Sequence, residues 1–182
     1  VSYGTGTWGL PDREVLIQQD SAVNFLIPTD SALGTSWQQP GLEFDDSSWA
    51  SEQQPVGFES PGGRLESLIS TNISSAMRGV NPGGYFRFPF RFDAANRRIV
   101  TVNMGIYIDD GYVAYLNGRE VAKLNERSPM LYDSTAAGSR SDSVVADSRL
   151  DVDLSAHAGI IRDGDNVLAV HATNTSANGS DF

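Results

Sequence analysis

The chain has 182 residues, enough to bury a hydrophobic core within one domain. Its net charge of −10 excludes a nucleic-acid binder, which needs a basic stripe, and its lack of cysteine excludes disulfides, zinc-thiolate sites and thiol nucleophiles. No stretch is long and apolar enough to span a bilayer, so membrane insertion is not expected. The acids are 16 Asp against 7 Glu, and the bases are 12 Arg against the single Lys123. Asp is short and suits turns, and it is also the usual hard-oxygen ligand for calcium. Starting at Val1, the sequence reads as one domain, 1–182, excised from something larger.

Residues 4–9, GTGTWG, match Gly-x-Gly-x-x-Gly but have no preceding strand and no βαβ unit around them, so they read as a lead-in and not a nucleotide site. Residues 15–17 and 24–27 read as short strands. FDDSSW at 44–49 reads as a tight turn whose Asp and Ser bond the local backbone. Residues 65–77 read as one short helix or an irregular crossing. YFRFPFRF at 85–92 alternates with period two and puts Phe86, Phe88, Phe90 and Phe92 on one core face. Pro89 cannot donate to a ladder, which implies an edge or a bulge. Residues 98–108 and 112–116 are rich in β-branched and aromatic residues, and Asn117-Gly118 then joins 112–116 to 119–123 as a hairpin. Residues 125–147 form a long Gly/Ser/Asp-rich excursion, the kind of loop that often carries function. LDVDL at 150–154 alternates. NVLAVHA at 166–172 is apolar on both faces, which predicts a central strand covered on both sides.

Together these segments resemble the galactose-binding-like jelly roll, and most closely the sugar-binding domain of family 2 glycoside hydrolases. The motifs that carry the resemblance are FDDSSW (44–49), YFRFPF (85–90), YVAYLNGREV (112–121), DLS (153–155) and GDNVLAV (164–170), in the family's order. The resemblance implies an all-β antiparallel sandwich. It also implies a module appended to secreted bacterial polysaccharide-degrading enzymes or to large surface proteins. Asp109-Asp110-Gly111, leading into a strand and an Asn-Gly hairpin, resembles the Asp-Asp-Gly of flocculin-type lectins. There the paired aspartates hold a calcium ion that also holds the sugar, and a later asparagine-bearing loop, here at Asn174, completes the site.

Adjacent Asp109 and Asp110 repel one another, and a hard cation would resolve that repulsion. Calcium wants six to eight oxygens, so Asn174, Asp181 and backbone carbonyls are the further candidates. The competing explanation is a hairpin-entry turn that needs Asp for local hydrogen bonds. Glycan recognition needs a flat apolar face with fixed polar groups. The candidates are Trp8, Tyr112 and Tyr132 with Arg64, Asn125, Arg127 and Arg140; guanidinium groups suit an acidic polysaccharide. Trp37, Trp49 and the four Phe read as core, Arg87 as a structural ion-pair member and His171 as a core histidine. There is no Gly-x-Ser-x-Gly elbow and no constellation that singles out two carboxylates for glycosidic cleavage.

The expected function is a non-catalytic carbohydrate-binding module, secreted, monomeric, calcium-bearing and tethered to a catalytic domain. Its partner would be a polysaccharide, anionic or galactose-rich and algal. The alternatives are a structural or adhesion module of a bacterial surface protein, and a jelly-roll lyase or hydrolase.

Overall fold

A computed structural model describes residues 13–95 and 98–182. The 4–9 lead-in, with Trp8, lies outside the described residues. In chain order the elements are β1 (Ala22–Leu26), β2 (Ala50–Gln53), β3 (Val56–Gly57), β4 (Thr71–Asn72), α1 (Ser74–Met77) and β5 (Gly83–Phe92). They continue with β6 (Asn103–Ile106), β7 (Gly111–Leu116), β8 (Arg119–Leu124), α2 (Asp142–Asp147), β9 (Leu150–Asp153) and β10 (Gly164–Thr173). Short 3-10 turns fill several connections.

The chain is an all-β antiparallel sandwich. Its main sheet has six strands in the order β2-β1-β5-β10-β7-β8, while β6 pairs antiparallel with β9 and β3 pairs parallel with β4. The two central strands, β5 and β10, pair over ten residues, from Gly164 opposite Phe92 to Thr173 opposite Gly83. The inner neighbours β1–β5, β5–β10 and β10–β7 are not consecutive in sequence, the wiring of a jelly roll and not of a meander.

Both faces of this sheet are covered, as the two-sided apolar pattern of residues 166–172 predicts. On one face Phe25, Phe86, Tyr112, Ala114, Val170 and Ala172 pack with Phe58, Ile73, Met77, Met104 and Leu154. The partly buried Ile106, Leu150 and Val152 of the β6–β9 pair close over them. On the other face Trp37, Tyr85 and Ala169 form a second cluster, with Leu33, Phe44, Trp49, Tyr115 and Tyr132 packed around it. Trp37 lies flat on Tyr85, with ring centroids 4.1 Å apart. Burying side chains of this size stabilises by roughly 1.5–3 kcal/mol each.

The hairpin forms as expected. Asn117 (φ 48°) and Gly118 (φ 81°) both take left-handed backbone, the requirement of a two-residue turn between twisted strands. Asn117 also accepts from Val167 N through its side-chain oxygen at 2.9 Å, which ties the turn to β10.

Several local expectations change. Residues 15–17 form no strand; they run into bends and a turn before β1. Of residues 98–108 only Asn103–Ile106 is a strand, and 65–77 is an irregular crossing that contains β4 and α1. Pro89 sits in an inner strand and not an edge. It is tolerated because β1 pairs with β5 only at Tyr85–Arg87, so that flank is already open at Pro89. The same short pairing leaves Phe88 and Phe90 half-buried, while Phe86 and Phe92 are buried.

Arg87 points to the second face and is only 1% exposed. Its Nε donates to Asp46 Oδ2 at 2.6 Å, and its guanidinium also donates to the carbonyls of Trp37 and Gln39. One buried cation therefore holds the 37–39 segment and the FDDSSW turn onto the sheet. Asp46→Ala would leave that cation without its counter-charge. Because Asp46 is partly exposed and two carbonyl bonds remain, the cost should be about 2 kcal/mol, below the 3–5 kcal/mol of a fully buried pair. A urea-unfolding midpoint measures it.

Candidate metal centre

Three connections at one end of the sandwich bring carboxylates together. Asp109 and Asp110 end the β6–β7 connection and are 7% and 5% exposed. Asp142 opens α2. Asp181 lies in the segment that follows β10, and Glu59 follows Phe58 just after β3. Oxygens of Glu59, Asp142 and Asp181 lie within 4.8 Å of one another.

The local sequence explains how each is held. Asp110 is fastened by backbone donors, its Oδ1 by Arg140 N at 3.0 Å and its Oδ2 by Thr175 N at 2.8 Å. Its carbonyl accepts from Asn125 Nδ2 at 2.9 Å, a contact made possible by Asn125's left-handed backbone (φ 50°). Phe182 exchanges backbone hydrogen bonds with Phe58 in both directions, at 2.9 and 3.1 Å, and its ring stacks on Phe58 and Phe86. That exchange sets Asp181 beside Glu59. Asn174, 2% exposed, donates from Nδ2 to the Asp181 carbonyl, and its Oδ1 accepts from Thr175 Oγ1 at 3.2 Å.

Asp109 is the most constrained member. Its Oδ2 is buried and has no hydrogen-bond partner among the described residues. Burial first, then the charges of Asp181 and Asp110, a hydrogen bond shared with the Asp181 side chain and the charge of Asp142 push its carboxyl up to about 8. The nearby guanidinium of Arg140 is spent on the Ile108 carbonyl. Asp109 thus meets the charges of Asp181, Asp110 and Asp142, and Asp142 and Asp181 in turn group with Glu59. A cation among them would be held by hard oxygens only, with neither His nor Cys at hand, the donor set of calcium or magnesium and not of zinc. The unpartnered, buried Asp109 Oδ2 is the observation that fits such an ion.

The expected metal residues Asp109, Asp110, Asn174 and Asp181 are brought near one another, but of the four only Asp181 belongs to the group of oxygens within 4.8 Å. Asn174 is there in a supporting capacity, since its amide is occupied in holding the tail. Glu59 and Asp142 were missed: each is an isolated acid in a turn-rich stretch, and only tertiary packing brings it in.

The expected glycan residues scatter. Tyr112 is 1% exposed and lies inside the core, because its face of β7 looks toward Met104 and Leu154; its ring is closed to any ligand. Asn125 and Arg140 brace the Asp110 loop as described. Arg64 is exposed and lies 3.6 Å from Asp147, across the same two segments that bear Glu59 and Asp142. Arg127 is exposed, and its Nε donates to Thr135 Oγ1 at 3.0 Å. Tyr132 is half-buried against the Trp37–Tyr85 cluster. His171 is 3% exposed and edge-on to Tyr85, with burial holding it down at about 4. It is a neutral core histidine.

No family model matches the chain, and no curated protein does. Solved structures share the fold. A β-glucuronidase 2 of Bacteroides uniformis superposes with a TM-score of 0.51 at 16% identity, covering 88% of this chain and 14% of that one. A β-glucuronidase of Ruminococcus gnavus superposes at 0.50 with 14% identity, covering 91% of this chain and 23% of that one. The chain thus spans less than a quarter of the length of these enzymes. Among the described residues, no helix is long and apolar enough to cross a membrane.

The metal-free protein should show an unusual pH response. The folded state holds a proton on Asp109 that the unfolded chain gives up near pH 4. The unfolded state therefore binds fewer protons between about pH 4 and 8, and stability in chelator should fall as pH rises through that window. Asp109→Asn should flatten the response. Denaturant midpoints at pH 5, 6, 7 and 8 check both.

Proposed function

We propose that the chain is a non-catalytic carbohydrate-binding module of a secreted polysaccharide-degrading enzyme, stapled by a calcium ion at the carboxylate cluster. The observation that carries the calcium part is the buried, unpartnered Asp109 Oδ2 facing the other carboxylates. Asp109, Asp110, Glu59, Asp142 and Asp181 would supply the oxygens, with carbonyls and water completing the shell. Bound there, the ion supplies positive charge that lets Asp109 ionise. It would join the β6–β7 connection, the segment after β3, α2 and the tail after β10.

The carbohydrate part is supported by the fold. The sandwich is similar to a small portion of β-glucuronidases, and its length suits an accessory domain tethered to such a catalytic body. The absence of catalysis is read from the site itself. Asp110 and Glu59 are spent on backbone donors and Asp181 lies beside a packed tail, an arrangement that suits holding structure better than general acid–base work on a glycosidic bond. The arginines that favoured an acidic polysaccharide each have a partner within the protein, so the sugar class is argued from a different surface below.

Calcium should raise the melting temperature relative to chelator. At a hundred times its dissociation constant, the ion should add about 2.7 kcal/mol to the unfolding free energy. Asp109→Asn and Asp181→Ala should each abolish most of that gain, and calorimetry with and without calcium reads it. Retardation in gels containing plant and algal polysaccharides tests the binding role. Migration unchanged by every glycan would favour a purely structural module.

A further inference from the structure

A cleft of about 350 Å3 opens where the chain leaves β1 and where it enters β2. Its size falls within the range of small-ligand sites, about 300–1,000 Å3. Trp49 and Leu33 form apolar wall, and Pro28, Thr29, Asp30 and Ser48 complete the lining with Leu26, Ile27 and Ala32.

Trp49 is held by its backbone and by its ring. Its backbone N–H donates to the Asp46 carbonyl at 2.9 Å, and Asp46 in turn is gripped by Arg87. Phe44 meets the indole edge-on at 5.6 Å, and the Arg87 guanidinium lies over Phe44, 4.8 Å from its centroid. The opposite wall is fixed as well: buried Asn81 donates through Nδ2 to the Pro28 carbonyl at 2.6 Å and to the Tyr132 carbonyl at 3.2 Å. An aromatic ring already immobilised loses little freedom when a ligand stacks on it.

The polar groups around the ring are uncommitted. Asp30 Oδ1 accepts from Ala32 N at 2.8 Å, and its second oxygen accepts nothing from the described residues. The hydroxyls of Thr29 and Ser48 likewise have no hydrogen-bond partner among the described residues. By contrast, in the groove beside Pro89 and Phe90 the charged groups, Arg91 and Asp165, are already paired at 3.0 Å.

We infer that the Trp49 cleft is a subsite for a neutral pyranose unit of a glycan chain, with the C–H face of the sugar on the indole and its hydroxyls on Asp30, Thr29 and Ser48. This rests on the carbohydrate reading above and names its site and sugar class. A pyranose offers a flat apolar face and hydroxyls that both donate and accept, and a carboxylate oxygen with free lone pairs takes the donated protons. The lining carries no Lys or Arg, and Asp30 repels a uronate or sulfate, so the unit bound is uncharged.

The test is affinity electrophoresis of the intact domain in gels containing a neutral β-galactan, a neutral glucomannan or polygalacturonate. Retardation on a neutral glycan is expected, and Trp49→Ala and Asp30→Ala should each weaken it roughly tenfold or more, while Trp49→Tyr stays within about threefold. A urea midpoint shows whether Trp49→Ala is folded. Asp30 is exposed on a loop, so its variant keeps the test decisive if Trp49→Ala is not. If the wild type is retarded and both variants match it, the subsite is overturned and the carbohydrate reading stands. Retardation by polygalacturonate alone overturns the sugar class. No retardation of the wild type by any glycan overturns both.

Discussion

A carboxylate buried among other carboxylates must either keep its proton or hold a cation, and one end of this molecule is organised around that choice. Asp109 has lost water and faces Asp110, Asp142 and Asp181, while no guanidinium or ammonium answers it. Desolvation and like charge act in the same direction here, so they add. The cost is imposed by packing that has its own reasons. Phe182 fills a gap against Phe58 and Phe86, and Asp110 satisfies backbone donors from two loops. The acids are carried to one place by apolar and backbone contacts that would form in any case.

The Arg87 side of the sheet is built by the opposite electrostatic arrangement. Arg87 is more deeply buried than Asp109, yet it carries a counter-ion and two carbonyls. A buried pair of this kind is weak evidence for net stability, since desolvation consumes much of the Coulomb gain. Its value is geometric. The planar guanidinium reaches the 37–39 segment and the FDDSSW turn together, so Trp37 sinks into the cluster while Trp49 stays at the rim of a cleft. Replacing Arg87 by a lysine would keep the charge and lose the fork that spans those partners.

The features legible in the sequence are those set by local physics. Asn117-Gly118 could be read as a turn because positive φ at two successive residues excludes most other pairs, and the two-faced burial of β10 because Val167, Ala169, Leu168 and Val170 are all apolar. Asp109-Asp110 stood out because adjacency alone guarantees repulsion. Tyr112 was misread because a tyrosine beside a loop looks alike in sequence whether its ring faces solvent or core. Only the placement of the β6–β9 pair buries it. Trp49 was read as core, and it does pack against the Trp37–Tyr85 cluster; its partial exposure is what nothing in FDDSSW could tell. Glu59 and Asp142 lie 83 residues apart and meet only through tertiary packing.

Phe86 and Arg87 connect the two surfaces. They are consecutive residues of β5, held in register opposite Phe25 and Asn24 of β1. Because successive side chains of a strand point to opposite faces, Phe86 anchors Phe182, and through it Asp181 and the carboxylate cluster, while Arg87 anchors Asp46 and Trp49. A slip of one residue would exchange these faces, placing a guanidinium in the apolar core and a phenyl ring against Asp46. The ten-residue pairing of β5 with β10 makes such a slip unfavourable along its whole length. The register of one inner strand therefore determines that the carboxylate cluster and the aromatic cleft are both assembled, each on its own side of the sheet.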